Sequence, residues 1–414
     1  MDRTRRALAA GTVVVITGAS SGIGRAVGLA FAHLGARLVL AARSAEALSQ
    51  VARECTAAHP QAEAVAVPAD VTDADAVTGL ADTALARYGR VDVWVNAAGV
   101  GVLGRLDAVP PADVLRSWEV NVLGTLHGAR AALRVMRGQG RGVLIDVSSV
   151  LGGAVTAPYT GAYAAAKAAL VVLDEVMRQE LIISGDHDVA VCTVLPAGVD
   201  TPFFQHAANH TGRRVRTLPA VATPERVARA VLHTAARPRA RVVVGPGARL
   251  LPWARVLAPG LVRGLIRRLT EHRYLGAPGT VPVTTGTLYA PSGATAAVSG
   301  DRHAAARTAA RRAFALAAAG AVGARFIATR SRTRVRTGSR TRVRTGSRTR
   351  VRTGSRTRGR TGSPTHVRIR PRARVGTGSP TLVRLRPRAR VRIGSPTRVR
   401  MRPHIPARRL SRCR

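Results

Sequence analysis

The chain has 414 residues, with 65 Lys+Arg against 22 Asp+Glu, a formal net charge of +43, 46% hydrophobic residues and only 3% aromatic ones. A length of this order allows one domain of about 250 residues with extensions, or two or three smaller domains whose cores must be built from Ala, Val and Leu. Three cysteines, Cys55, Cys192 and Cys413, have neither metal spacing nor a disulfide framework. The first ten residues are too short and polar for a signal peptide, and 313–324 is too short to span a bilayer, so a cytoplasmic protein without a metal is expected. The charge is uneven: 29 Arg and no acid lie from Arg330 onward, while the first 329 residues carry 36 basic and 22 acidic groups, a net +14.

In chain order, Thr12–Ile16 is a short β-branched run, as expected of a buried parallel strand. It enters Thr17-Gly18-Ala19-Ser20-Ser21-Gly22-Ile23-Gly24, and an amphipathic segment follows over 25–34 and stops at Gly35. Strand, glycine-rich turn and helix in that order let backbone N–H groups and a helix N-terminus approach a phosphate closely. A second strand, Arg37–Ala41, ends at Ala42-Arg43. No acid stands there for a ribose 2′-hydroxyl, whereas an arginine suits a 2′-phosphate. NADP(H) is therefore expected ahead of NAD(H), with Arg43 as the phosphate partner and Arg25 assisting. The competing reading makes Arg43 a surface residue at a strand end.

A helix over 45–58 leads to a strand at Ala64–Val67 and then Asp70-Val71. A helix over 74–88 precedes a strand at Val91–Val95 and a second small-residue turn, Asn96-Ala97-Ala98-Gly99, where a flat ligand can lie against backbone. The stretch 110–136 reads as one long helix containing Asn121. Gly142–Val147 is a strand ending at Ser148-Ser149, of which only one can point inward because strand side chains alternate. The next helix carries Tyr163-Ala-Ala-Ala-Lys167, and Lys167 is the only lysine in the chain. Positions i and i+4 share a helix face, so an ammonium beside the phenol is expected to lower the Tyr163 pKa and make it a usable general acid/base. A strand at Val189–Leu195 runs into Pro196-Ala197-Gly198-Val199-Asp200-Thr201, and a helix over 224–235 precedes a last strand at Arg241–Val244. Strands alternating with helices predict an α/β fold, a doubly wound parallel sheet of about seven strands. Gly18, Asn96, Ser149 and Pro196 all fall just past strand ends, on the edge where such sheets bind ligands.

Together Thr17-Gly18-x-x-x-Gly22-Ile23-Gly24, Asp70, Asn96-Ala97-Ala98-Gly99, Asn121, Ser149, Tyr163-x-x-x-Lys167 and Pro196-x-Gly198 resemble the short-chain dehydrogenase/reductase family over roughly residues 10–245. The resemblance implies a Rossmann-like fold and hydride transfer between a nicotinamide dinucleotide and a carbonyl/alcohol pair. It gives Tyr163 the proton transfer to or from the substrate oxygen. Lys167 would lower the Tyr163 pKa and bind the nicotinamide ribose, and Ser149, rather than Ser148, would orient the substrate. Asn121 would hold a water beside Lys167. Thr17, Gly18, Ser20, Ser21, Gly22, Ile23, Gly24, Asp70, Val71, Asn96, Ala97, Gly99, Pro196, Gly198 and Thr201 are implied in cofactor binding. The family also implies a homodimer or homotetramer, often through the helix bearing Tyr163.

Past Thr201, Phe203 and Phe204 suggest a lid and a small, partly apolar substrate. Tyr159 reads as a pocket wall, and His206 and His210 as solvated. The domain reading is a catalytic domain at 1–247, a C-terminal extension at 248–290, an Ala-rich linker at 291–330 and low-complexity Arg-rich repeats at 331–414, expected to be disordered. In the extension, Leu261, Val262, Leu265, Ile266 and Leu269 form one helical stripe. It packs on its own domain or a partner subunit, or else touches a membrane surface peripherally. The repeats have two readings: non-specific polyanion binding, with the Rossmann body as scaffold, or a sequence expansion without a role.

Overall fold

The computed structural model describes residues 8, 10–215, 221–291 and 297–299. The Arg-rich repeats, nearly all of the Ala-rich linker and Cys413 lie outside the described residues. Seven strands form one parallel sheet: β1 (Val13–Thr17), β2 (Arg37–Ala42), β3 (Glu63–Pro68), β4 (Val93–Asn96), β6 (Gly142–Val147), β7 (Val189–Pro196) and β9 (Arg241–Val244). Their order is β3-β2-β1-β4-β6-β7-β9. Two short strands, β5 (Val102–Leu103) and β8 (Ala208–Asn209), pair separately. The order reverses direction between β1 and β4, where Thr17 lies in register with Asn96, and a crevice opens at such a reversal.

The helices are α1 (Gly22–Ala32), α2 (Ala45–Ala57), α3 (Ala74–Tyr88), α4 (Pro111–Trp118), α5 (Gly124–Gly138), α6 (Val150–Gly153), α7 (Gly161–Ile183), α8 (Phe203–His206), α9 (Pro224–Ala236), α10 (Leu251–Leu257) and α11 (Pro259–Leu269). Alternation along β1 sends Ile16 into a core with Phe31, Leu38, Leu40 and Val227, and Val15 into a second core with Leu80, Trp94, Met136 and Leu144. With both faces covered, the strands need the near-continuous apolar runs seen in the sequence. Helix starts follow local chemistry: Asp73 accepts from the N–H groups of Asp75 and Ala76, and Thr223 from that of Arg226.

Two elements differ from the sequence reading. The expected single helix over 110–136 is interrupted by a π-helical turn, Glu119–Leu123. Asn121 Nδ2 donates to the Ser117 carbonyl at 2.9 Å, competing with the backbone four residues on and opening the ladder. The amphipathic extension is likewise two helices. Ala258 leaves the helical region (φ −141°, ψ 62°) because it precedes Pro259.

Candidate active site

A cleft of about 290 Å³ runs along the carboxyl ends of β1, β2, β4, β6 and β7. Gly18, Ser20, Ser21, Gly22, Ile23, Gly24, Arg43, Asp70, Val71, Ala97, Gly99, Ser149, Tyr163, Pro196, Gly198 and Thr201 all line it. Thr17, Asn96, Asn121 and Lys167 lie beneath it and are buried. The glycine turn fits only without side chains. A Cβ on Gly18 (φ +68°) would sit 2.6 Å from the Ala98 backbone, and one on Gly24 would sit 2.2 Å from the Gly18 carbonyl oxygen. Gly18→Ala is therefore expected to cost on the order of 1–3 kcal/mol of stability, read as a fall in melting temperature, together with a loss of dinucleotide affinity read by titration.

Arg43 and Asp70 stand together at the far end. Arg43 donates to the carbonyls of Thr287 (2.6 Å) and Leu288 (3.4 Å), and its burial lowers the guanidinium pKa. Asp70 accepts from Thr72 N–H and Oγ1 and from Arg116. Burial pushes the Asp70 carboxyl up, but these donors more than offset it and hold it below the usual carboxylate range. Arg25, expected to assist Arg43, is paired with Glu54 of α2 at 2.6 Å. At the other end of the turn, Gly22 N–H donates to the Ala297 carbonyl at 3.0 Å. Chain carbonyls thus stand in for an acceptor at both places where phosphate was expected.

Asn96 does not face the cleft. Its side chain accepts from Trp94 Nε1 (2.8 Å) and donates to the Thr125 carbonyl and to Asp146 Oδ1 (2.8 Å), so it ties strands together under the site. Thr17 Oγ1 accepts from Ala97 and Ala98 N–H, holding the second small-residue turn against the first.

The serine ambiguity resolves by partners. Ser148 Oγ donates to the Lys167 carbonyl at 2.7 Å, whereas Ser149 Oγ accepts from Leu151 N–H at 3.1 Å and lines the cleft with Tyr163. The expected lowering of the Tyr163 pKa is not what the geometry produces. Burial pushes it up to about 12, and only the nearby Ser149 hydroxyl opposes this. The reason lies in where the ammonium points: Lys167 Nζ is 5.9 Å from the Tyr163 ring centroid and donates to the Val147 carbonyl at 2.9 Å. Burial lowers Lys167 to about 8, while Asp146 and Asp174 hold it up. Asn121 brackets the same spot from the π-turn. Its side chain donates to the carbonyls of Val100 and Ser117, and its Oδ1 accepts from Val100 N–H at 3.2 Å.

Asp146 and Asp174 went unnoticed in the sequence. Both are fully buried; Asn96 donates to Asp146 and Thr193 to Asp174, while Asp146 Oδ2 and Asp174 Oδ1 have no hydrogen-bond partner among the described residues. Burial raises the Asp146 pKa well above the usual carboxylate value, and Asp174 raises it further. The available signal was an acid inside the apolar run Gly142–Val147.

Aromatic rings lead outward from Tyr163: Phe203 at 5.3 Å, then Phe204 at 5.3 Å, then Tyr274 at 5.7 Å. Two expectations here are corrected. The Tyr159 hydroxyl donates to Glu271, which also takes Arg213, so Tyr159 clips the extension rather than walling the cleft. His206 lines the cleft and burial lowers its pKa. His210 is not solvated: its Nε2 lies 2.7 Å from Asp113, which also accepts from Tyr289.

A doubly wound parallel sheet with a glycine-rich turn at its reversal point, and beside it a cleft-lining Tyr163 with Lys167 buried behind, is the architecture of a dinucleotide-binding oxidoreductase. Residues 12–212 match the short chain dehydrogenase family model. An uncharacterized oxidoreductase, YxnA, of Bacillus subtilis is 34% identical over 281 residues, 67% of this chain and 77% of that protein. Dehydrogenase/reductase SDR family member 7B of Bos taurus is 32% identical over 265 residues, 62% of this chain and 80% of that protein. A short chain dehydrogenase/reductase from Burkholderia phymatum, solved in complex with NAD, is 30% identical with a TM-score of 0.55, covering 61% of this chain and 96% of the other. One from Mycobacterium marinum is 30% identical with a TM-score of 0.52, covering 59% and 98%. The chain belongs to the short-chain dehydrogenase/reductase family.

Proposed function

We propose that this protein interconverts a carbonyl and an alcohol with NADP(H), using Tyr163 as the proton donor to the substrate oxygen. The observation that carries the reading is Tyr163 and Ser149 together on the cleft wall, with the Lys167 ammonium 5.9 Å from the Tyr163 ring centroid. A phenol pushed to about 12 is protonated at neutral pH, so it enters reduction with its proton in place, and the nearby ammonium must favour the phenolate for transfer to proceed. Ser149 orients the oxygen, and Lys167, with its charge supported by Asp146 and Asp174, favours the phenolate left after transfer. Asn121 keeps the Val100 backbone beside Lys167. The bound nicotinamide supplies the hydride. Gly18 and Gly24 shape the turn that would hold its pyrophosphate, since a Cβ on either would clash with the Ala98 backbone or the Gly18 carbonyl oxygen. Phe203, Phe204 and Tyr274 favour a partly apolar substrate. The exposed Val172 and Val176 on α7 support a homo-oligomer.

The preference for NADP(H) rests on Arg43, which lines the cleft beside Asp70 and whose guanidinium is satisfied by two exchangeable carbonyls. A charge-assisted hydrogen bond of about 1.5–3 kcal/mol corresponds to roughly 10–150-fold in affinity. Arg43→Ala is expected to weaken NADPH binding by that factor and NADH binding by less than about threefold. Titration of both dinucleotides, followed by turnover of a ketone and aldehyde panel, tests the reading. Equal loss for both cofactors removes the NADP(H) preference, and a folded protein that binds neither removes the reading.

A further inference from the structure

Beyond β9 the chain forms α10 and α11, which bury little of their apolar surface. Trp253 is 70% exposed, Val256 76%, Leu257 80%, Leu261 74% and Leu265 55%. Positions 253, 256 and 257 share one side of α10, and 261 and 265 lie four apart on α11. Of the stripe expected to pack inward, only Val262 is buried. A cluster of this kind on a folded chain marks an interaction site.

The surroundings indicate what covers it. No Asp or Glu occurs between Glu225 and Glu271. Arg249, Arg255, Arg263, Arg267 and Arg268 are all exposed around the apolar side chains. Among the described residues none of these five makes a salt bridge, and Arg255 alone reaches a backbone carbonyl, that of Ala154. A second copy docked through the same face would bring five like charges against five. A planar array of anionic headgroups complements both features at once, taking the guanidinium groups at the phosphates and the indole and leucines just below them.

We propose that α10 and α11 form a docking surface for an anionic lipid membrane, with Trp253, Leu257 and Leu261 entering the headgroup layer. The surface adjoins the cleft. α11 runs directly into Thr270–Tyr274, and Tyr274 lines the cleft against Phe204. Docking therefore turns the aromatic end of the cleft toward lipid. Delivery of an apolar carbonyl compound from the membrane follows from this and rests on the oxidoreductase reading, whereas the docking itself does not.

The test uses the full chain and vesicles of phosphatidylcholine alone or mixed equally with phosphatidylglycerol, with brominated acyl chains as quenchers of tryptophan. Each Arg near an anionic surface contributes about 1 kcal/mol, so the mixed vesicles should be bound at least tenfold more tightly. Tryptophan emission should shift to the blue and be quenched, and Trp253→Phe should abolish both effects. A variant combining Trp253→Ser, Leu257→Ser, Leu261→Ser and Leu265→Ser keeps every arginine and alters only exposed positions. It should lose the docking while binding nicotinamide dinucleotide as before. Vesicle flotation with Trp253 unquenched would mean attachment through the Arg-rich repeats and would overturn the proposal. So would a dimer in sedimentation that the four serines dissociate. Dinucleotide titration in the same samples separates failure here from failure of the oxidoreductase reading.

Discussion

Tyr163→Phe is expected to lower kcat/KM for carbonyl reduction by roughly 10² to 10⁴-fold, the usual contribution of a positioned general acid. The substitution removes one hydroxyl and keeps the ring that packs against Phe203 at 5.3 Å, so the cleft retains its shape. Dinucleotide affinity should stay within about twofold and the melting temperature within a few degrees, since loss of one polar contact is worth about 1 kcal/mol. Steady-state kinetics alongside dinucleotide titration read the two quantities separately. Turnover equal to the parent protein's would remove Tyr163 from the proton transfer.

Lys167→Arg should be nearly as damaging, though it keeps the charge. Lys167 is 4% exposed, and its Nζ reaches the Val147 carbonyl between the Gly99 turn and the Asp146–Asp174 pair. A planar fork with fixed donors does not fit where a compact ammonium does. We expect a loss of about 10²-fold or more in kcat/KM. The pH profile adds a second readout. With burial lowering Lys167 to about 8, reductive activity should fall as pH rises through that value and the ammonium loses its proton. The stability effect runs the other way. Between about 8 and the ordinary lysine value the unfolded chain binds more protons than the folded one, so this group makes stability rise with pH. An activity loss above pH 8 without a fall in melting temperature is therefore the expected signature, and a flat profile through pH 9 would dissociate Lys167 from the chemistry.

The fold was largely legible because its signals are local and periodic. Apolar β-branched runs, small-residue turns after them and amphipathic segments between them dictate parallel strands with crossover helices. The glycine turn was legible for a similar reason: only residues without a Cβ permit the approach of Gly18 to Ala98. Side-chain assignments were harder. Asn96 sits at the expected strand end, yet Trp94 and Asp146 claim its amide, and neither claim is visible from the order of residues alone. The two adjacent serines are told apart only by their partners, the Lys167 carbonyl for Ser148 and the Leu151 N–H for Ser149.

By itself the sequence determined the sheet, the position of its reversal point and the residues gathered at that edge, including a lone lysine four positions after a tyrosine. Only the tertiary structure decided the electrostatics. Proximity on one helix face promised an easily ionised phenol, but burial of Tyr163 raises its pKa, and Lys167 spends a donor on Val147 with two carboxyl groups from β6 and α7 behind it. Periodicity likewise marked the apolar stripe of the extension without saying which way it faces. The physical reason is the same in both cases. Spacing along a helix is set by the backbone, whereas desolvation and charge depend on what distant segments bring against it.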